Sequence, residues 1–172
     1  ISKLSYLDKE TSKGKTYYYK VHGYAVINSV KYYGTSSVVS SQKGIKNENK
    51  TYQQKVIDLV NKERKAEGLS ALTTTSKLEN SAYKRATEIE KTFAHTRPDG
   101  SSCFTVLDEY GVSYRACGEN IAYGQRTPEE VMSAWMNSPG HKANILSKNF
   151  GKLGVGCYIV NNTVYWTQLF TN

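Results

Sequence analysis

The sequence predicts an α+β protein, on three observations. Apolar residues recur at helical spacing after Thr51. A Thr-Pro helix start and a Pro-Gly break punctuate the middle of the chain, and an alternating hairpin closes it. Helices and strands follow one another in irregular order, which argues for α+β layering and against a regular strand–helix alternation.

The elements are read in chain order. Residues 1–41 are rich in Tyr, Val, Ser and Thr. Tyr17–Val26 reads as a strand, and Tyr32–Gly34 with Ser36–Ser40 as a second strand after a loop. The run Gly14–Val21 followed by Tyr33-Gly34 and Ser36–Ser40 resembles the last strands of a fibronectin type III domain. That reading assigns residues 1–44 to the end of such a domain. A sandwich lacking its first strands cannot bury its inner face, so the segment is expected to pair elsewhere, including between two chains as a dimer. Residues 45–50, polar and rich in Lys and Asn, read as a linker, and residues 51–172 as the main domain.

From Thr51, Val56, Leu59, Val60 and Ala66 lie at helical spacing, with Gly68 as the stop. Leu78, Ala82, Ala86, Ile89 and Phe93 form the apolar stripe of a second helix starting near Ser76. A short helix follows Ser102 and ends before Gly111. Tyr114–Gly124 reads as a strand carrying an acid. Thr127 caps the next helix, Pro128 takes its first position and Glu130 completes a capping box; it stops before Pro139. Gly154–Val160 and Val164–Phe170 form a hairpin across Asn161-Asn162.

Bulk properties narrow the function. The chain has 172 residues, one domain or one domain plus a fragment, and 38% hydrophobic content, which includes fourteen tyrosines whose large rings help to fill a core. No stretch reaches the ~18 apolar residues that span a bilayer. The chain starts at Ile1 with no visible signal peptide and reads as an excised piece of something longer. The net charge is +8, but the lysines are scattered from Lys3 to Lys152 without interleaved stacking aromatics, so nucleic acid is not the expected partner. Cys103, Cys117 and Cys157 show no CxxC spacing, and their odd count leaves one thiol free if a disulfide forms. Cys117 and Cys103 are read as buried structural cysteines rather than thiol nucleophiles.

Three residues suggest chemistry. His95 follows a helix end and precedes the turn Pro98-Asp99-Gly100, Glu119 interrupts an apolar strand, and His141 follows Pro139-Gly140. A carboxylate inside a strand is costly to bury unless paired or solvated in a cleft. Two histidines and a carboxylate are a common ligand set for zinc and similar ions, and they also suit general acid–base work.

The segments Phe93–Gly100, Gly118–Ala122, Trp135–His141, Asn144–Leu146 and Tyr165–Gln168 together resemble, in order, the bacterial branch of the CAP superfamily of cysteine-rich secretory, antigen 5 and pathogenesis-related proteins. The resemblance implies a three-layer α-β-α sandwich with a mostly antiparallel central sheet. It implies a cleft with two histidines and two acids, which in several relatives binds a divalent metal. His95, Glu119 and His141 match three of those positions; the fourth, acidic in many relatives, is Ser138. Asn120 and Gln168, polar within apolar strands, are expected either to satisfy backbone groups or to line the cleft beside Ser138 and Arg97; an Arg97–carboxylate contact is expected to orient the His95 loop, and Trp135 and Trp166 to lie in the core. Two functional readings follow. One is a secreted or cell-wall extracellular binding module whose partner is a cell-wall polymer, lipid or protein. The other is a hydrolase in which His95, His141 and Glu119 act on a metal-activated water. The missing fourth acid favours the first.

Overall fold

Nothing between Ile45 and Ala66 interrupts a helix: Lys, Glu and Gln are good helix formers, and no Pro or Gly intervenes. The computed structural model, which describes residues 16–27, 30–42 and 45–172, accordingly shows one helix, α1, over Ile45–Ala66. Residues 45–50, read from sequence as a linker, are its first turns; polarity alone does not distinguish a solvated helix face from a linker. Gly68 takes φ +69°, and Leu69 N–H donates to the Arg64 carbonyl at 2.9 Å, which closes α1 with a left-handed residue.

The chain divides into two compact units, Ile1–Glu48 and Asn49–Asn172. In the first, β1 (Thr16–Ile27) pairs antiparallel with β2 (Val30–Gln42), with a register shift between His22 and Tyr24. The second strand is therefore continuous and longer than the pattern of Tyr32–Ser40 predicted. The remainder of residues 1–44 lies outside the described residues.

The second unit contains α2 (Ser76–Glu88), α3 (Thr105–Glu109), β3 (Cys117–Tyr123), α4 (Pro128–Met136), α5 (Pro139–Ile145), β4 (Lys152–Val160) and β5 (Thr163–Thr171). Its sheet is antiparallel in the order β3-β5-β4. Alternation along each strand sends side chains to two faces. On one face Leu153, Val155 and Cys157 of β4 join Trp166 and Phe170 of β5, Trp135 of α4, Ile145 of α5 and Val56 and Val60 of α1. On the other, Leu169 meets Leu78 and Ala82 of α2 and Val106 and Leu107 of α3. Helices thus cover both faces, giving the expected three layers.

Two glycines set the distance of α2 from the sheet. A Cβ on Gly154 would collide with the Leu78 carbonyl, and one on Gly156 with the Ala82 carbonyl. The helix backbone rests directly on the β4 strand, and this brings its Arg85 within reach of β3.

Local signals hold where predicted. Thr127 Oγ accepts from Glu130 N–H at 3.2 Å, while the Glu130 carboxylate reaches one residue further back, to Arg126 N–H, instead of the Thr127 amide. Asn161 and Asn162 take φ of 48° and 60°, the two left-handed positions of a tight hairpin turn. The stripe of α2 ends earlier than predicted: Ile89 is its C-cap, and Phe93 lies beyond it and is half exposed. β3 likewise starts at Cys117, not Tyr114.

Candidate functional site

Glu119 and Asn120 are consecutive on β3, so their side chains leave opposite faces of the sheet. Glu119 faces α2. Its side chain is 1% exposed, and Arg85 makes that burial possible: Arg85 Nε donates to Glu119 Oε2 at 2.8 Å and Nη2 to Oε1 at 3.4 Å. The same Oε1 lies 2.8 Å from His95 Nδ1, and the His95 ring is 61% exposed. Arg85 also donates to Glu88 Oε2 at 3.0 Å and to the Ala94 carbonyl at 2.9 Å, holding the segment that enters His95. Burial lowers the Arg85 pKa, but the hydrogen bond and charge of Glu119, with Glu88, outweigh it and raise it overall.

The His95 loop has a second fastening. Arg97 Nη2 reaches Glu88 Oε1 at 2.6 Å and Glu109 Oε2 at 2.8 Å. Arg97 therefore pairs with carboxylates of α2 and α3, not with Asp99 of its own loop. Asp99 instead accepts from Ser101 N–H at 2.9 Å and from its hydroxyl at 2.6 Å. The hydrogen bonds and charges of Glu88 and Glu109 raise the Arg97 pKa despite burial.

Asn120 works on the other face. Its Nδ2 donates to the His141 carbonyl at 3.1 Å and to Gln168 Oε1 at 2.9 Å, and its Oδ1 accepts from Asn144 Nδ2 at 2.8 Å. Asn120 and Gln168 are fully buried. Of the two expectations, Asn120 meets the first: it satisfies the His141 carbonyl and, with Gln168 and Asn144, ties α5, which carries His141 in its first turn, to the sheet. Arg64 of α1 secures the far end of α5 by donating to the Ile145 and Ser147 carbonyls, both at 2.8 Å. Ser138 is the N-cap of α5 and its side chain makes no capping hydrogen bond.

His141 is half buried; desolvation, then the neighbouring charge of His95, lowers its pKa. The two histidines thus feel one another. The group of metal-type donors brought together among the described residues is His95, Cys103 and Glu119, with donor atoms within 4.8 Å of one another; His141 is not part of it. Cys103 is 2% exposed, and its pKa is pushed up to about 12 by burial and then by Glu119, so it is a protonated partner of the carboxylate rather than a thiolate. Cys117 is half buried and its pKa is raised by desolvation, and Cys157 is buried; all three thiols are free.

The geometry assigns distinct tasks. Glu119 has both oxygens committed, and a cation placed on it would face the Arg85 guanidinium. His95, bonded through Nδ1 to a carboxylate, keeps Nε2 free of that bond, the arrangement in which a carboxylate behind the ring orients a metal-binding imidazole. Trp135 and Trp166 are core residues, as predicted. Arg85, Glu88, Arg64 and Asn144 were missed. A buried arginine is invisible to periodicity, although Arg85 does fall three residues before Glu88 on the α2 pattern.

The comparisons place this site in a family. Residues 57–170 match the model described as CAP, the cysteine-rich secretory protein family, and the chain belongs to that family. It is 44% identical over 121 residues to the Bacillus subtilis protein YkwD, covering 69% of this chain and 46% of YkwD. Its fold is similar to an extracellular protein containing a SCP domain from Bacillus anthracis, with TM-score 0.68 and 26% identity over 79% of this chain and 46% of that one. A structure of NaASP2 with Zn2+ aligns with TM-score 0.52 and 16% identity, covering 69% of this chain and 78% of that one, a likeness of fold alone. The chain thus spans about half the length of YkwD. The fibronectin type III reading of residues 1–44 finds no support in these matches, which centre on the second unit.

Proposed function

We propose that this domain is an extracellular binding module of a secreted or surface protein. In this reading a divalent metal, zinc being the first candidate, is held by His95 and His141, and Glu119 orients His95. One observation carries it: Glu119 engages His95 Nδ1 at 2.8 Å while the ring stays 61% exposed, which leaves Nε2 for an incoming ion. The lowered pKa of His141 supports the same role, since an imidazole ligand must be neutral. The extracellular placement rests on the likeness to the Bacillus anthracis extracellular protein.

The hydrolase reading is weaker. It needs a free base near the metal, and Glu119 is buried, paired with Arg85 and bonded to His95. Ser138 offers no acid in its place.

Zinc calorimetry at neutral pH on the native chain and on a His95→Ala, His141→Ala double variant tests the proposal. One-to-one binding lost in the variant is expected. Binding that the variant retains would make both histidines structural. Glu119→Gln separates the roles: an orienting carboxylate predicts an affinity loss of about 10–100-fold with the one-to-one stoichiometry kept.

A further inference from the structure

Five aromatic rings gather into a belt over the Glu119 face of the sheet in two contacting groups, Phe93–Tyr123–Tyr165 and Tyr83–Tyr158. Tyr123, Tyr165 and Tyr158 stand in register across β3, β5 and β4. Tyr123 stacks on Tyr165 with centroids 6.0 Å apart. Phe93 meets the Tyr123 ring edge-on at 4.7 Å, and Tyr83 of α2 meets Tyr158 edge-on at 6.3 Å. Among the described residues the exposed large hydrophobic side chains are Tyr83, Phe93 and Tyr123, at 41%, 49% and 53%, and all three lie on this belt. Aromatic surface left in water and gathered in one place marks an interaction site more than scattered exposure does.

The belt's surroundings define its partner. The chain is basic, but the open depression of ≈450 Å³ beside Tyr158 is balanced: Lys84, Lys91 and Arg97 face Glu88, Glu90 and Asp99. Glu88 pairs with Lys84 and Arg97 of the same wall, so acids and bases offset one another there. The local field therefore selects neither a polyanion nor a polycation. Four of the five rings are tyrosines, each with an apolar face and a hydroxyl tip, and no aliphatic side chain belongs to the row. A partner matched to it is uncharged, carries C–H faces that stack on rings, and offers hydroxyls to phenol and charged tips. We propose that the belt binds an uncharged polysaccharide whose pyranose rings lie along it. This deepens the binding-module reading and rests on it, but uses side chains other than the two histidines.

The test titrates the native chain with chitohexaose and with cellohexaose, followed by amide shifts in nuclear magnetic resonance. At least one hexamer is expected to bind, with shifts at Phe93, Tyr123 and Tyr165 and an affinity insensitive to salt. The Phe93→Ala, Tyr123→Ala double variant alters only half-exposed side chains and should weaken binding by about tenfold or more. A Lys55→Ala variant, on α1 across the sheet from the belt, should bind as the native chain does. Failure of both hexamers, full binding by the aromatic variant, loss of binding in the Lys55 variant, or binding only to heparin that salt abolishes would each overturn the proposal. The zinc titration fails or succeeds independently, so the two readings are separable.

Discussion

Two adjacent residues of β3 hold the two histidines by different physics. Glu119 works through charge, with two arginines and two carboxylates sharing the α2 face, and it grips the His95 side chain. Asn120 works through neutral amides on the opposite face and grips the His141 backbone. Buried charges repay their desolvation only when every partner is present. Neutral amides have less to lose and do not respond to pH. The His95 half should therefore be the one that fails when a charge partner is removed, and the Asn120 network the more tolerant one.

The sharpest way to break this comparison is to remove one charge. Arg85→Met leaves Glu119 and Glu88 buried with fewer partners, and about 3–5 kcal/mol of unfolding free energy should be lost in urea denaturation. A loss equal to that of the amide variant below would erase the distinction. Gly156→Ala probes the same face without touching charge. Its Cβ would strike the Ala82 carbonyl, so α2 must move off the sheet, at a cost of about 1–3 kcal/mol and with disturbance of His95. Asn120→Ala on the other face should cost about 1–3 kcal/mol by leaving buried polar partners unmatched, with no dependence on pH between neutrality and mild acid.

Much of this was legible in the sequence. The helix stripes, the Thr127 cap, the Asn161-Asn162 turn and the trio His95, Glu119, His141 all rest on local chemistry that sequence displays directly. What was not legible depends on partners brought from far away. Glu119 reads as a lone carboxylate in a strand until Arg85, thirty-four positions earlier, is seen to pair with it. Asn120 and Gln168 read as satisfying backbone groups or lining a cleft, because alternation gives two faces but not which one is covered. The Gly154 and Gly156 spacing signals close helix contact only once α2 is known to lie there. At residues 45–50 the ambiguity is of another kind: a polar run without apolar periodicity reads as a linker, and polarity alone does not separate a linker from a solvated helix face.

The smallest expected effect concerns acid. Burial raises the Glu88 pKa, but the hydrogen bonds and charges of Arg97 and Arg85 outweigh it, so its folded pKa lies below the ordinary value of 4.5. A carboxylate depressed in this way adds stability above its unfolded pKa and loses it as pH falls through the lower, folded pKa. His141, also depressed, adds to the same trend near its ordinary value of 6.5, because the unfolded chain takes up its proton first. Unfolding free energy should therefore fall on acidification in two steps, one near neutrality from His141 and one below pH 4.5 from Glu88. Glu88→Gln should lower stability at neutral pH and flatten only the acidic step, and His141→Ala only the upper one. An acidic step undiminished in Glu88→Gln would mean that the charged network on the α2 face is not the source of acid sensitivity.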